Sequence, residues 1–124
     1  QDYSHAINLQ PDLLEAYHYR GIVRYGMKDL DGALADYNKA ISLGLKSSAV
    51  YFNRGVIFHQ KGQLSDAIES YSRSIEIDPS NARAYYNRAI SKLIVDNYKE
   101  ALQDLEISKR LGYSKAAEII SQYY

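Results

Sequence analysis

Along residues 48–61, SAVYFNRGVIFHQK, apolar residues occupy nearly every side of a helical wheel, and Tyr51, Gly55 and Phe58 fall at i, i+4 and i+7. In the next segment Ala67, Tyr71 and Ser74 repeat that spacing. Each trio therefore lies on one face of its own helix, and the two faces form the obvious packing pair. Small residues at the crossing let the backbones approach, and a tyrosine from each helix fills the space beside them. The same reading predicts helices near 2–9, 14–27, 31–43, 48–61, 65–77, 82–95, 98–110 and 114–124, with no strand and no flexible linker. The links KDLD, KGQL and VDNY carry turn chemistry. Gly62 is best suited to a left-handed helix end, and Asp96 with Asn97 is its weaker substitute. Asp78, Pro79, Ser80 and Asn81 stop one hairpin and cap the next helix.

The pattern recurs. AYHYRG at 16–21, VYFNRG at 50–55 and AYYNRA at 84–89 are offset by 34 residues each. Tyr17, Tyr51 and Tyr85 share one register, as do Tyr3, Tyr37 and Tyr71. Gly21, Gly55 and Ala89 share a third, Ala33, Ala67 and Ala101 a fourth, and Pro11 with Pro79 a fifth. A fixed period of this length marks a stacked array of structural repeats.

The run Tyr51, Gly55, Phe58, Gly62, Ala67, Tyr71, Ser74 and Pro79 resembles the tetratricopeptide repeat. The resemblance implies an all-α fold, a right-handed superhelical α-solenoid of antiparallel helix hairpins. It divides a single domain, 1–124, into a partial repeat at 1–13, full repeats at 14–47, 48–81 and 82–115, and a terminal helix at 116–124. The third repeat departs most, with Lys92 and Leu105 where Phe58 and Tyr71 stand, and looser packing is expected there.

In such an array the first helix of each repeat leaves one stripe open on the inner, concave surface. The resemblance assigns to that stripe His18, Tyr19, Ile22 and Tyr25 in the first repeat. The second contributes Phe52, Asn53, Val56 and His59, and the third Arg83, Tyr86, Asn87 and Ile90. Rings and aliphatics interleaved with amides suit an extended peptide, because a side-chain amide pairs with a backbone N–H and C=O together. A non-enzymatic module that binds a peptide or protein segment in a groove is the leading reading. Repeats of this family that hold chaperone carboxylate tails use a clamp of Lys and Asn residues with an Arg. Here Asn53 matches, Arg83 stands for one Lys, and His18, Ile22 and Asn87 depart from the pattern.

Charge changes the picture little. Fifteen basic residues balance 15 acidic ones, so no net field draws the chain to nucleic acid or to an anionic membrane. No apolar run approaches the length of a membrane helix, which argues against membrane insertion. No cysteine is present, which excludes thiol chemistry and leaves the compartment open. The recurring Arg20, Arg54 and Arg88 read as structural, because Asp36 and Asp104 recur opposite them with Ser70 between. His18 and His59 face the groove without a third ligand, so neither metal nor cofactor is expected, and no catalytic constellation stands out. The last helix carries Ile119, Ile120, Tyr123 and Tyr124 and looks like an unfinished solenoid end. Self-association through that helix is the alternative role, and the chain, which opens on Gln1, reads as a piece of something longer.

Overall fold

Seven α-helices follow one another among the described residues: α1 (Leu14–Gly26), α2 (Leu30–Ser42), α3 (Ser48–Gln60), α4 (Leu64–Ile77), α5 (Ala82–Ile94), α6 (Tyr98–Arg110) and α7 (Ser114–Tyr123). The computed structural model describes Ser4, Ile7 and residues 13–124. All seven lie within one residue of the bounds expected from the sequence. The helix expected over 2–9, with Tyr3, His5, Ala6 and Pro11, falls outside the described residues apart from Ser4 and Ile7. Two compact units divide the chain, residues 1–46 and 47–124. In the first, α1 pairs with α2. In the second, α3 pairs with α4 and α5 with α6, α4 packs on α5, and α7 packs on α6.

Hairpin pairing follows from the small residues. Tyr37 and Tyr71 are buried, and their rings lie directly against Gly21 and Gly55. A methyl group on Gly21 would stand 2.8 Å from the Tyr37 ring, and one on Gly55 only 2.5 Å from Tyr71 Cε1. In the third hairpin the volumes are exchanged: Ala89 brings the methyl, Leu105 takes the place of the ring, and neither keeps exposed surface. The looser packing expected for this repeat is therefore not found. Ala89, Ala101, Leu105 and Ala116 form a closed cluster, with Tyr86, Leu93, Ile119 and Ile120 packed against it. Small hydroxyls tie the hairpins further, since Ser74 Oγ donates to the Ser48 carbonyl at 2.9 Å and Ser108 Oγ to the Ala82 carbonyl at 2.8 Å.

The turns repeat as strictly as the packing. Lys28, Gly62 and Asp96 all hold positive φ, at 63°, 77° and 64°. The next residue in each case, Asp29, Gln63 or Asn97, returns its N–H to Arg24, Phe58 or Lys92 at 2.8 Å, closing the helix end in a Schellman-type cap. Gly62 and Asp96 answer the sequence expectation, and Lys28 adds a lysine where glycine is the unstrained choice. Asn81 caps α5 by accepting from the Ala84 N–H at 3.2 Å, and Asp78 accepts from Ser80 Oγ at 2.6 Å.

Two outcomes follow for urea unfolding. Gly55→Ala lowers stability by about 1–2 kcal/mol despite the better helix propensity of alanine. Adding Tyr71→Leu, which recreates the third hairpin's pairing, recovers most of the loss; an additive double variant would refute the ring-to-glycine account. Lys28→Gly raises stability by about 0.5–1 kcal/mol, because relief of the left-handed strain exceeds the extra chain entropy of glycine.

Candidate functional site

In the 47–124 unit the expected stripe is carried by α3 and α5, whose starts are fixed by caps at Ser47 and Asn81. Val56, His59, Tyr86, Asn87 and Ile90 converge on one cavity of about 260 Å³, with Gln60 and Tyr71 completing its lining. His59 Nδ1 stands 3.2 Å from the hydroxyl of the buried Ser91, which fixes the imidazole at the cavity edge. The Tyr86 ring meets Tyr113 edge-on at 4.9 Å, and burial raises the Tyr86 phenol above its ordinary pKa. Phe52, Asn53 and Arg83 do not line this cavity. Phe52 packs on Tyr71 at 5.8 Å, and the Arg83 guanidinium rests over the Phe52 ring at 5.2 Å. Sequence reasoning missed Gln60, one position beyond His59, and Tyr71, which comes from the second helix and carries no signal in a first-helix pattern.

In the 1–46 unit, His18, Tyr19, Ile22 and Tyr25 all lie on α1. The His18 and Tyr19 rings stack at 5.0 Å, and Tyr19 and Ile22 keep 45% and 43% of their surface. Partial burial lowers the His18 pKa, which favours the neutral imidazole.

The C-terminal residues expected at an unfinished solenoid end divide between buried and exposed positions, with Tyr123 and Tyr124 exposed. Ile119 and Ile120 are half-buried against the Ala89 and Leu105 cluster, and the Tyr124 hydroxyl donates to the Tyr98 carbonyl at 2.6 Å. Consecutive positions on a helix point to different sides. Accordingly Ile119 and Tyr123 line a second cavity of about 260 Å³ with Ile90, Leu93, Ile94 and Tyr98, whereas Ile120 and Tyr124 line a third, of about 530 Å³, with Leu102, Glu106, Lys109 and Arg110. Among the described residues no His, Cys, Asp and Glu cluster suits a metal ion, and no helix is long and apolar enough to cross a membrane.

A family model for the TPR repeat matches residues 55–92. Those residues carry a tetratricopeptide repeat. Solved structures share the fold across nearly all of its length. MamA superposes with a TM-score of 0.86 at 18% identity, over 92% of this chain and 68% of that one. The Arabidopsis OM64 TPR domain gives 0.76 at 25% identity, over 88% and 91%. The first TPR of Spaghetti (RPAP3), bound to the HSP90 peptide SRMEEVD, gives 0.78 at 16% identity, over 88% of each chain. The chain spans 63% to 68% of the length of the MamA chains it matches. No curated protein sequence matches it. The fold class is thus the all-α helical-repeat solenoid, a fold that in general mediates protein–protein interaction and is typically not catalytic.

Within these hairpins the arginines serve structure. Arg20 donates to both oxygens of Asp36 at 2.8 and 2.7 Å, and Arg88 to both of Asp104 at the same distances. Each also reaches back to the preceding helical segment, Arg20 to Ser4 Oγ at 3.3 Å and Arg88 to Ser72 Oγ at 3.1 Å. The carboxylates carry a second cation one turn on. Arg24 Nη1 is 3.2 Å from Asp36, and Lys92 Nζ is 2.9 Å from Asp104. In the middle hairpin both members change together. Ser70 replaces the carboxylate, Phe58 replaces the second cation, and Arg54 turns to Ser70 Oγ and Glu69 at 3.1 and 3.0 Å. This covariation across the hairpins assigns Lys92 to structure.

Asp104→Ser, which strands two cations, is expected to lose about 3 kcal/mol of stability. Lys92→Phe in the same chain imports the middle hairpin's solution and recovers part of that loss. Equal loss in the single and double variants, measured by denaturant unfolding, would separate the two positions.

Proposed function

We propose that the protein is a non-enzymatic interaction module that binds an extended segment of a partner protein over α3 and α5. The observation that carries this reading is the convergence of Val56, His59, Tyr86, Asn87 and Ile90 on one hollow. Apolar walls with a few convergent polar groups are the ordinary make-up of a binding site. An apolar side chain of the ligand enters the cavity, and the Asn87 amide, with two donors and an acceptor, holds the backbone beside it. The neutral lining offers no basic track for a nucleic acid backbone.

The Spaghetti domain holds an acidic chaperone tail, but that chemistry is less favoured here. Of the clamp that the family resemblance implies, Asn53 matches and Arg83 stands for one Lys, whereas His18, Ile22 and Asn87 depart from it, so most of the charge that pairs with a carboxylate is missing. Self-association is the second reading, and the cavity that Ile120 and Tyr124 line with Lys109 and Arg110 offers it a surface.

Binding of a partner segment recovered on the immobilised protein tests the assignment. Asn87→Ala weakens that binding about tenfold, equivalent to about 1.4 kcal/mol, in isothermal titration. Asn53→Ala, outside the cavity lining, weakens it less. An Asn87→Ala variant with unchanged affinity would remove the cavity from the binding site.

A further inference from the structure

The cavity beside α3 has a counterpart one repeat later. Val56, His59 and Gln60 line the first, and the residues 34 positions on, Ile90, Leu93 and Ile94, line the second. The two hollows have the same volume, about 260 Å³, and Ile90 belongs to both. They are thus the same feature built twice, once between α3 and α5 and once between α5 and α7, joined over one isoleucine. Their chemistry differs. The first has His59, Gln60 and Asn87 at its edge, whereas aliphatic side chains and the rings of Tyr98 and Tyr123 line the second. No carboxylate lines either one, and the exposed Arg83 takes part in no ion pair among the described residues.

Resting on the groove reading above, we infer that the two hollows are paired subsites for one partner segment with apolar side chains at i and i+3, neutral to acidic in charge. The spacing decides the pattern. The cavities flank a single helix, so their centres stand about 10 Å apart. In a polyproline II segment, side chains three apart point the same way and are separated by about 9 Å. In a β-strand, same-face side chains are about 7 or about 13 Å apart, and neither fits. The first subsite accepts a side chain with a polar end, because His59, Gln60 and Asn87 offer it hydrogen bonds. The second accepts a purely hydrocarbon one. Arg83, beside the first subsite on α5, favours an acidic residue next to the first anchor.

A spacing scan on the intact chain tests this. The probes are fluorescein-labelled peptides of about ten residues in a Gly/Ser background, with two leucines separated by one to six positions, with and without an aspartate beside the first. By anisotropy, affinity is expected to peak at a separation of three, about tenfold above adjacent leucines, and to rise with the aspartate. Ile94→Ser/Tyr123→Ser removes two side chains that are 54% and 58% exposed, so the fold stands, as a thermal melt verifies. In that variant the peak falls to the level of a one-leucine peptide. No spacing dependence, with Asn87→Ala still weakening every peptide, overturns the paired subsites and keeps the groove. Binding indifferent to Asn87→Ala overturns the groove as well, and binding of no peptide at about 1 mM does the same. A peak that survives the double variant removes the second subsite. A mass that rises with concentration, and becomes monomeric in the double variant, assigns the second cavity to another copy of the chain and overturns the proposal.

Discussion

A tyrosine ring laid against a residue without a side chain sets the geometry of the hairpins. Tyr71 occupies the space that a methyl on Gly55 would need, and Tyr37 does the same at Gly21. Close approach at that crossing fixes where the two helices meet, and the caps at Lys28, Gly62 and Asp96 make the chain reverse within reach of it. The third hairpin shows that the constraint is on summed volume and not on residue type. Ala89 and Leu105 close the same interface with the methyl on the other side. Once the second helix of a hairpin is committed to its own partner and to the next hairpin, as α4 is to α3 and α5, the first helices α3 and α5 touch one another only lightly. Cavities open along that weaker seam.

Electrostatics reinforces the same arrangement without making a site. Asp36 and Asp104 are almost wholly buried, and each is answered by a forked guanidinium and a second cation. Desolvating such a carboxylate costs more than a single exposed partner returns, so the second cation and the carboxylate appear and disappear together between hairpins. The arginine then reaches one helix further back, as Arg88 does to Ser72, and so joins hairpins as well as helices. A ladder of cations in the sequence becomes a set of clips in the fold, its charge spent internally.

The polar groups that remain beside the groove are few and held in place. His59 is positioned by Ser91 and Tyr86 by Tyr113, and Arg83 rests over the Phe52 ring, which itself packs on Tyr71. Groups fixed before a ligand arrives lose little freedom when it binds, which favours recognition of a flexible segment. The cavity walls are held by the contacts that pack the hairpins.

The helices, their caps and the hairpin pairs were legible in the sequence, because each depends on residues a turn or a repeat apart. Spacing of three and four places Tyr51, Gly55 and Phe58 on one face whatever surrounds the helix. The 34-residue period says that faces recur, and hence that the same pairing is built again. Convergence was not legible. Of the stripe residues on α3 and α5, Val56, His59, Tyr86, Asn87 and Ile90 meet around a cavity and Phe52, Asn53 and Arg83 do not. That depends on the distance and rotation between helices that are not consecutive in the chain. The same holds for Tyr71, which enters the cavity wall from a second helix, and for Ile119 and Ile120, adjacent on α7, which line different cavities. Periodicity defines the face of a single helix. Only packing decides what that face meets, because the apolar attraction between helices is non-directional and its register is set by side-chain volumes across the interface.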